Sequence, residues 1–202
     1  MDHAGSGSGS LARWQYPDEF VCEYVDESGV LLTVRPIRPE DGEALAAFHR
    51  RLTPTTVYQR YLAVRPELSS SELRHLTEVD YVDRLALVAV LEGAIVGVAR
   101  YERERGMTEA EVAFVVEDAV QRRGIGTLLL DRLAHAAFAR GVECFSADTF
   151  VTNAAMVAVF VHAGFPVEVE VEEGVAHIRF SVDPAQRGAL RRRCPSPWRR
   201  SA

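Results

Sequence analysis

Between Glu111 and Leu130 the chain reads EVAFVVEDAVQRRGIGTLLL, and no other stretch constrains its fold as much. An apolar run, Val112 to Val116, is followed by a polar turn, then by Gln121-Arg122-Arg123-Gly124-Ile125-Gly126. A helix opens directly from the glycines. Strand, tight glycine turn and helix N-terminus in that order form an anion cradle. The first amides of a helix have no intrahelical partner and sit at the positive end of its dipole. Glycine lets that backbone approach a phosphate without a Cβ in the way. Arg122 and Arg123 add charge where a pyrophosphate would lie. The stretch therefore asks for a phosphorylated cofactor.

Spacing narrows the choice. A dinucleotide fingerprint needs a third glycine, yet Leu128 and Leu129 follow Gly126. A P-loop needs Gly-Lys-Ser/Thr, and the chain has no lysine: all 23 of its basic residues are arginine. What remains is Q-x-x-G-x-G after an apolar strand.

The rest of the chain sets the context. Its 202 residues suit one domain with a real core. There is no apolar run of about 18 residues to span a membrane, and MDHAGSGSGSLAR has no signal-peptide core. Cys22, Cys144 and Cys194 are scattered and odd in number. They argue for a reducing cytosol and against a disulfide framework or zinc site. A cytoplasmic location is the resulting expectation. His49, His75, His135 and His162 have no metal-ligand spacing, so no metal is expected. Six arginines and no acid lie between Gln186 and Ala202, which leaves the remainder 17 arginines against 29 acids, a net −12. Such a body attracts a cationic substrate and repels nucleic acid. Residues 1–29 are expected to be disordered or loosely packed, and 184–202 to form a basic disordered tail.

Between them, 30–183 reads as a mixed α/β domain. Val30 to Pro36 is a strand. Helices follow from Pro39, from Pro54 and over Ser69 to Thr77. Leu85 to Leu91 and Ala94 to Glu102 form a hairpin about Glu92-Gly93. Glu109 to Val116 is the next strand, and Gly124 to Arg140 a long helix with leucines at helical spacing. Cys144 to Phe150, a helix over Asn153 to Ala163, and a hairpin around Glu173-Gly174 complete the order. The glutamates at 168, 170, 172 and 173, set among valines, mark a solvated strand face that could also recognise a basic substrate.

Several of these segments agree with one family. LTVRPIRPEDGEALAAFHRRL, TVYQRYL, LTEVDYVDRLALVAV with IVGVARY, and AEVAFVVEDAVQRRGIGTLLL resemble the GNAT N-acetyltransferase superfamily, in particular the GNAT domain of bacterial Pat-type protein lysine acetyltransferases. The resemblance covers Leu31 to Val182. Its specific parts are R-P-I-R-P-E-D-G and D-Y-x-x-x-x-A-L-V-A; the glycine loop is common to the superfamily. It implies a GNAT fold: a mixed central sheet flanked by helices, with a cofactor cleft between two central strands. It also implies acetyl-CoA as cosubstrate, lying against the strand ending at Val115 and Val116. The pyrophosphate would sit on the amides of Gln121, Arg122, Arg123, Gly124, Ile125, Gly126 and Thr127. Asn153 matches the family's Asn at the next helix start, where it commonly faces the cofactor.

The implied acceptor is a protein lysine, with an acyl-CoA synthetase the implied partner; the oligomeric state is left open. A small-molecule amine is a second enzymatic reading, and a non-catalytic acyl-CoA-binding module a third. Glu111 is the candidate general base. It shares a strand face with Ala113 and Val115, where burial would tune it; the bland alternative is a solvated strand-edge glutamate. One departure stands out. Where the family often has a tyrosine able to protonate the leaving thiolate, this chain has Phe160, so either no side-chain acid serves or another group does.

Overall fold

The computed structural model describes residues 15–26 and 29–186. An eight-stranded sheet runs through them in the order β1-β2-β3-β4-β5-β6-β8-β7. The strands are β1 (Cys22–Val25), β2 (Leu31–Pro36), β3 (Arg84–Leu91), β4 (Ala94–Glu102), β5 (Glu109–Val116), β6 (Cys144–Phe150), β7 (Val167–Glu172) and β8 (Val175–Ser181). All neighbours are antiparallel except β5 and β6. Helices α1 (Gly42–Arg51), α2 (Pro54–Tyr61) and α3 (Ser70–Thr77) precede β3; α4 (Ile125–Phe138) joins β5 to β6; α5 (Ala154–His162) follows β6.

The domain begins before residue 30. Cys22–Val25 pairs with Leu31–Val34 as a full edge strand, so the expected loose segment is structured from there. Residues 1–14 and the basic tail from 187 onward lie outside the described residues. Cys22 is a free thiol, whereas Cys144 is disulfide-bonded, so the expectation of cysteines kept reduced fails at Cys144.

Each sheet face has its own core. On one face Leu129, Leu130 and Leu133 of α4 are fully buried with Tyr101, Phe145, Phe160 and Phe180. Each such side chain contributes about 1.5–3 kcal/mol by leaving water. The helix comes so close to β4 that a Cβ on Gly97 would lie 3.0 Å from Leu129 Cδ1. On the other face, Leu45 and Phe48 of α1 and Val57 of α2 pack on Ala86, Val88, Ile95 and Val98.

The R-P-I-R-P-E-D-G motif has a local explanation. Arg35 donates to both carboxylate oxygens of Asp41 at 2.7 Å, and the Arg38 amide donates to the same carboxylate at 2.8 Å. The pair folds the chain from β2 into α1. Burial alone would raise the Asp41 pKa, but the Arg35 and Arg38 hydrogen bonds outweigh it and hold it below the usual value. A lowered pKa stabilises the fold above the unfolded value near 3.8 and loses that contribution as pH falls through the folded value. Asp41→Asn is therefore expected to cost about 1–3 kcal/mol at pH 7. Urea melts should show the gap between variant and parent closing below about pH 4.

Candidate functional site

The cleft comes from one interrupted ladder. β5 and β6 pair only at Glu109–Cys144, Ala110–Phe145 and Glu111–Ser146. Beyond that row β5 continues to Val116 and β6 to Phe150, and the two diverge. The other edge of β5 is paired to β4 as far as Val116. The backbone donors and acceptors of Val112–Val116 that are not turned to β4, those of alternate residues, therefore face the gap without a strand partner, where a ligand carrying amides can use them. Glu111 occupies the last paired row, at the apex of the V.

The glycine loop closes the wide end. Arg122 and Gly124 adopt positive φ of 61° and 79°, with Arg123 between them in the ordinary region. Such alternation turns successive amides toward one side and makes an anion-binding concavity. Among the described residues no acceptor takes the amides of Arg122 to Thr127; the first bonded amide is that of Leu128, to the Gly124 carbonyl at 3.0 Å. Gln121 Nε2 donates to the Val116 carbonyl at 3.0 Å and so ties the loop to the end of β5.

A cleft of about 1010 Å³ follows this path. Val115, Val116, Gln121, Arg122, Gly124, Ile125, Gly126, Thr127 and Asn153 all line it, as their sequence context suggested. Two of the expected residues do not. Arg123 turns away: its Nε donates to the buried Asp26 carboxylate at 2.6 Å, which leaves the loop its backbone but not this guanidinium. Glu111 stands at the apex but outside the lining, and it is exposed, so the expected burial is not found. Asn153 is buried and does two jobs. Its Oδ1 accepts from the Met156 amide at 3.2 Å as a helix cap, and its Nδ2 donates to Thr149 Oγ1 at 3.2 Å.

Phe160 is fully buried against Phe114 and Phe180, with ring centroids 5.5 and 5.1 Å away. It is part of the core and offers no proton.

Other residues that shape the cleft escaped the sequence reading. Asp118 accepts from the Thr53 amide at 3.0 Å, from Thr53 Oγ1 at 3.0 Å and from Thr56 Oγ1 at 2.7 Å, fastening the start of α2 beside the cofactor loop. Arg51 donates to Glu117 at 3.0 Å and to the Ile95 carbonyl at 2.6 Å. Tyr58 of α2 stacks on Phe150 of β6 at 5.2 Å and spans the gap on the side facing α2. Tyr24, Thr56, Gln59 and Arg60 also reach the cleft. The aromatic and hydroxyl residues of PTTVYQRY could have pointed to Thr56 and Tyr58; no such signal marks Tyr24, Arg51 or Asp118.

Residues 45–165 match the model of the acetyltransferase (GNAT) family. The chain belongs to the GNAT acetyltransferase family. Its sequence is 35% identical over 161 residues to Acetyltransferase Pat of Mycolicibacterium smegmatis, covering 78% of this chain and 47% of that protein. It thus spans about half the length of that relative. It is 31% identical over 159 residues to Acetyltransferase PA5475 of Pseudomonas aeruginosa, covering 76% of this chain and 85% of that one. The crystal structure of the GNAT domain of S. lividans PAT superposes with a TM-score of 0.78 at 33% identity, over 83% of this chain and 99% of that one.

GNAT acetyltransferases use acetyl-CoA, and the cleft fits it. The unpaired edge of β5 suits the amides of pantetheine, and the free amides of the glycine loop suit a pyrophosphate. When bound, acetyl-CoA supplies an activated acetyl thioester. The residues that would hold it are those of the β5 edge, the glycine loop and Arg122, with the Glu111 carboxylate standing at the apex. Among the described residues no helix is long and apolar enough to cross a membrane.

Proposed function

We propose that this chain is a lysine acetyltransferase that moves an acetyl group from acetyl-CoA to the side-chain amine of a protein lysine, with an acyl-CoA synthetase as the acceptor. The observation that carries the reading is Glu111 at the apex of the β5–β6 gap, next to the backbone edge that suits the thioester arm. A lysine ammonium has a reference pKa near 10.4, so at pH 7.4 only about one in a thousand is neutral, and deprotonation costs roughly 4 kcal/mol. Glu111 takes that proton. The neutral amine then attacks the thioester carbonyl directly; the N–C bond forms, the C–S bond breaks with its electron pair on sulfur, and the nitrogen gives up its second proton. Since Phe160 cannot protonate the departing thiolate, that second proton reaches it through solvent water.

Strand register supports a cationic acceptor. Ser146, next to Glu111, pairs with Arg179, which pairs with Glu168; Asp148 pairs with His177, which pairs with Glu170. Paired residues share a face, so Glu111, Asp148, Glu168 and Glu170 lie on one side of the sheet. That side attracts a lysine-bearing segment. Resemblance to Pat-type relatives supports the protein target.

Mass spectrometry of candidate synthetases incubated with acetyl-CoA and the chain tests the proposal. Site-specific lysine acetylation that depends on the chain is expected. Acetylation of small amines with unmodified synthetases would instead point to a small-molecule enzyme. Acetyl-CoA binding without any turnover would point to a non-catalytic module, which the burial of Phe160 keeps in view.

A further inference from the structure

A second recess opens on the α1–α3 side of the sheet and meets the cleft at Arg60 and Val115, which line both. Its volume is about 20 Å³, room for one small group. The walls carry two guanidiniums, Arg60 of α2 and Arg100 of β4, together with Tyr61, His49 and apolar side chains; no carboxylate lines it. Arg100 is 7% exposed. Its Nη2 donates to the Leu76 carbonyl at 2.9 Å, and the Glu102 carboxylate stands 3.8 Å from Nη1. That carboxylate is shared with Arg84 at 3.7 Å and His75 at 3.6 Å. Arg60, only partly exposed, has no carboxylate within ion-pair distance and no hydrogen-bond acceptor among the described residues; its guanidinium lies 4.9 Å from the Tyr61 ring centroid.

Two cations in one recess without an acid between them are an unfavourable arrangement unless something completes it. Burial, then the charge of Arg60, lowers the Arg100 pKa to about 10. Burial lowers that of Arg60 too, with Glu111 among the charges that oppose the shift. The recess, which Ala113 and Val115 place on the same sheet face as Glu111, is also poorly suited to the lysine ammonium itself.

We propose that Arg60 and Arg100 form a carboxylate-binding site beside the point of acyl transfer, filled by a carboxylate of either the acyl group or the acceptor. The inference rests on the acyl-transfer reading of the cleft. A carboxylate seated there gives Arg60 a counter-ion other than Glu111 and leaves the base free for the ammonium. Guanidinium suits the task because it keeps its charge and presents forked donors that match a carboxylate. Two sources share this chemistry. One is a dicarboxylic acyl-CoA whose free carboxylate reaches past Val115. The other is an acidic residue flanking the acceptor lysine.

The full chain saturated with CoA is first titrated with glutarate and with glutaramide, its uncharged diamide, and followed by thermal shift. Glutarate is expected to stabilise the parent and Arg60→Lys, and not Arg60→Gln. Equal shifts from the two probes, or a glutarate shift retained in Arg60→Gln, overturns the site. A parental far-UV circular dichroism spectrum and a cooperative urea melt show that Arg60→Gln is folded. Kinetics then identify the source. Succinyl-CoA is compared with butyryl-CoA, and acetyl-CoA is used with lysine peptides flanked by Glu or by Gln. One arm is expected to show a preference for the carboxylate of about 10-fold or more in kcat/KM, lost in Arg60→Gln. No preference in either arm, with acetylation intact, overturns the proposal. Glutarate binding that depends on Arg60 without acetylation of any peptide overturns the lysine reading and leaves the carboxylate site standing.

Discussion

Replacing Glu111 by Gln is expected to lower kcat by roughly 10²–10⁴-fold while leaving acetyl-CoA affinity nearly unchanged. The substitution keeps the shape and hydrogen-bonding capacity of the side chain and removes its ability to take a proton. Glu111 stands in the last paired row of β5 and β6 and does not line the cofactor cleft, so the two effects are separable. Burst and steady-state kinetics on the best acceptor, with thermal shift by acetyl-CoA in parallel, read both. Raising the pH should recover part of the loss, because more of the amine is then neutral without a base. A variant with near-parental kcat at pH 7.5 would make Glu111 a structural residue and pass the proton to water or to another carboxylate.

The second large effect is expected at Gly124. Its φ of 79° is a conformation that a β-branched residue adopts only with strain. Gly124→Val should cost about 1–2 kcal/mol of stability for that reason alone. It should also spoil the concavity formed with Arg122. At acetyl-CoA 100-fold above Kd the parent gains about 2.7 kcal/mol, and the variant should keep less than half of that gain. Gly106→Val is the matched control. Gly106 has φ +85°, a Cβ added there would meet nothing within 4 Å, and it lies in the β4–β5 turn. It should suffer the same backbone strain and retain the full ligand-induced shift. Equal ligand shifts in the two valine variants would remove the phosphate role from the glycine loop.

These predictions rest on features that differ in how far sequence alone reveals them. Strand, loop and α4 were legible because their signals are local: an apolar run, two glycines, then leucines at helical spacing. The cleft-lining residues from Gln121 to Thr127 came with them, Arg123 excepted. Contacts across long stretches of chain were not legible. Arg123 reads as a phosphate ligand until the fold brings Asp26, 97 residues away, against its guanidinium. Asp118 reads as a turn residue, and only tertiary structure shows it holding Thr53 and Thr56. β1 escaped because four residues of alternating partial exposure give too short a pattern to separate from a loop. Most important, no sequence pattern marks the row at which β5 and β6 part. That row places Glu111 at the apex and leaves it exposed instead of buried. Phe160 was legible as a departure from the family pattern; its full burial, which removes it from the chemistry, was not.

The interrupted β5–β6 ladder is the central claim, and amide hydrogen exchange with and without acetyl-CoA tests it most directly. Slowed exchange is predicted in two separate segments, Val112–Val116 on the unpaired edge and Arg122–Thr127 in the loop, with β1–β3 unchanged. Protection confined to other strands, or no protection of either segment at saturating acetyl-CoA, would contradict it.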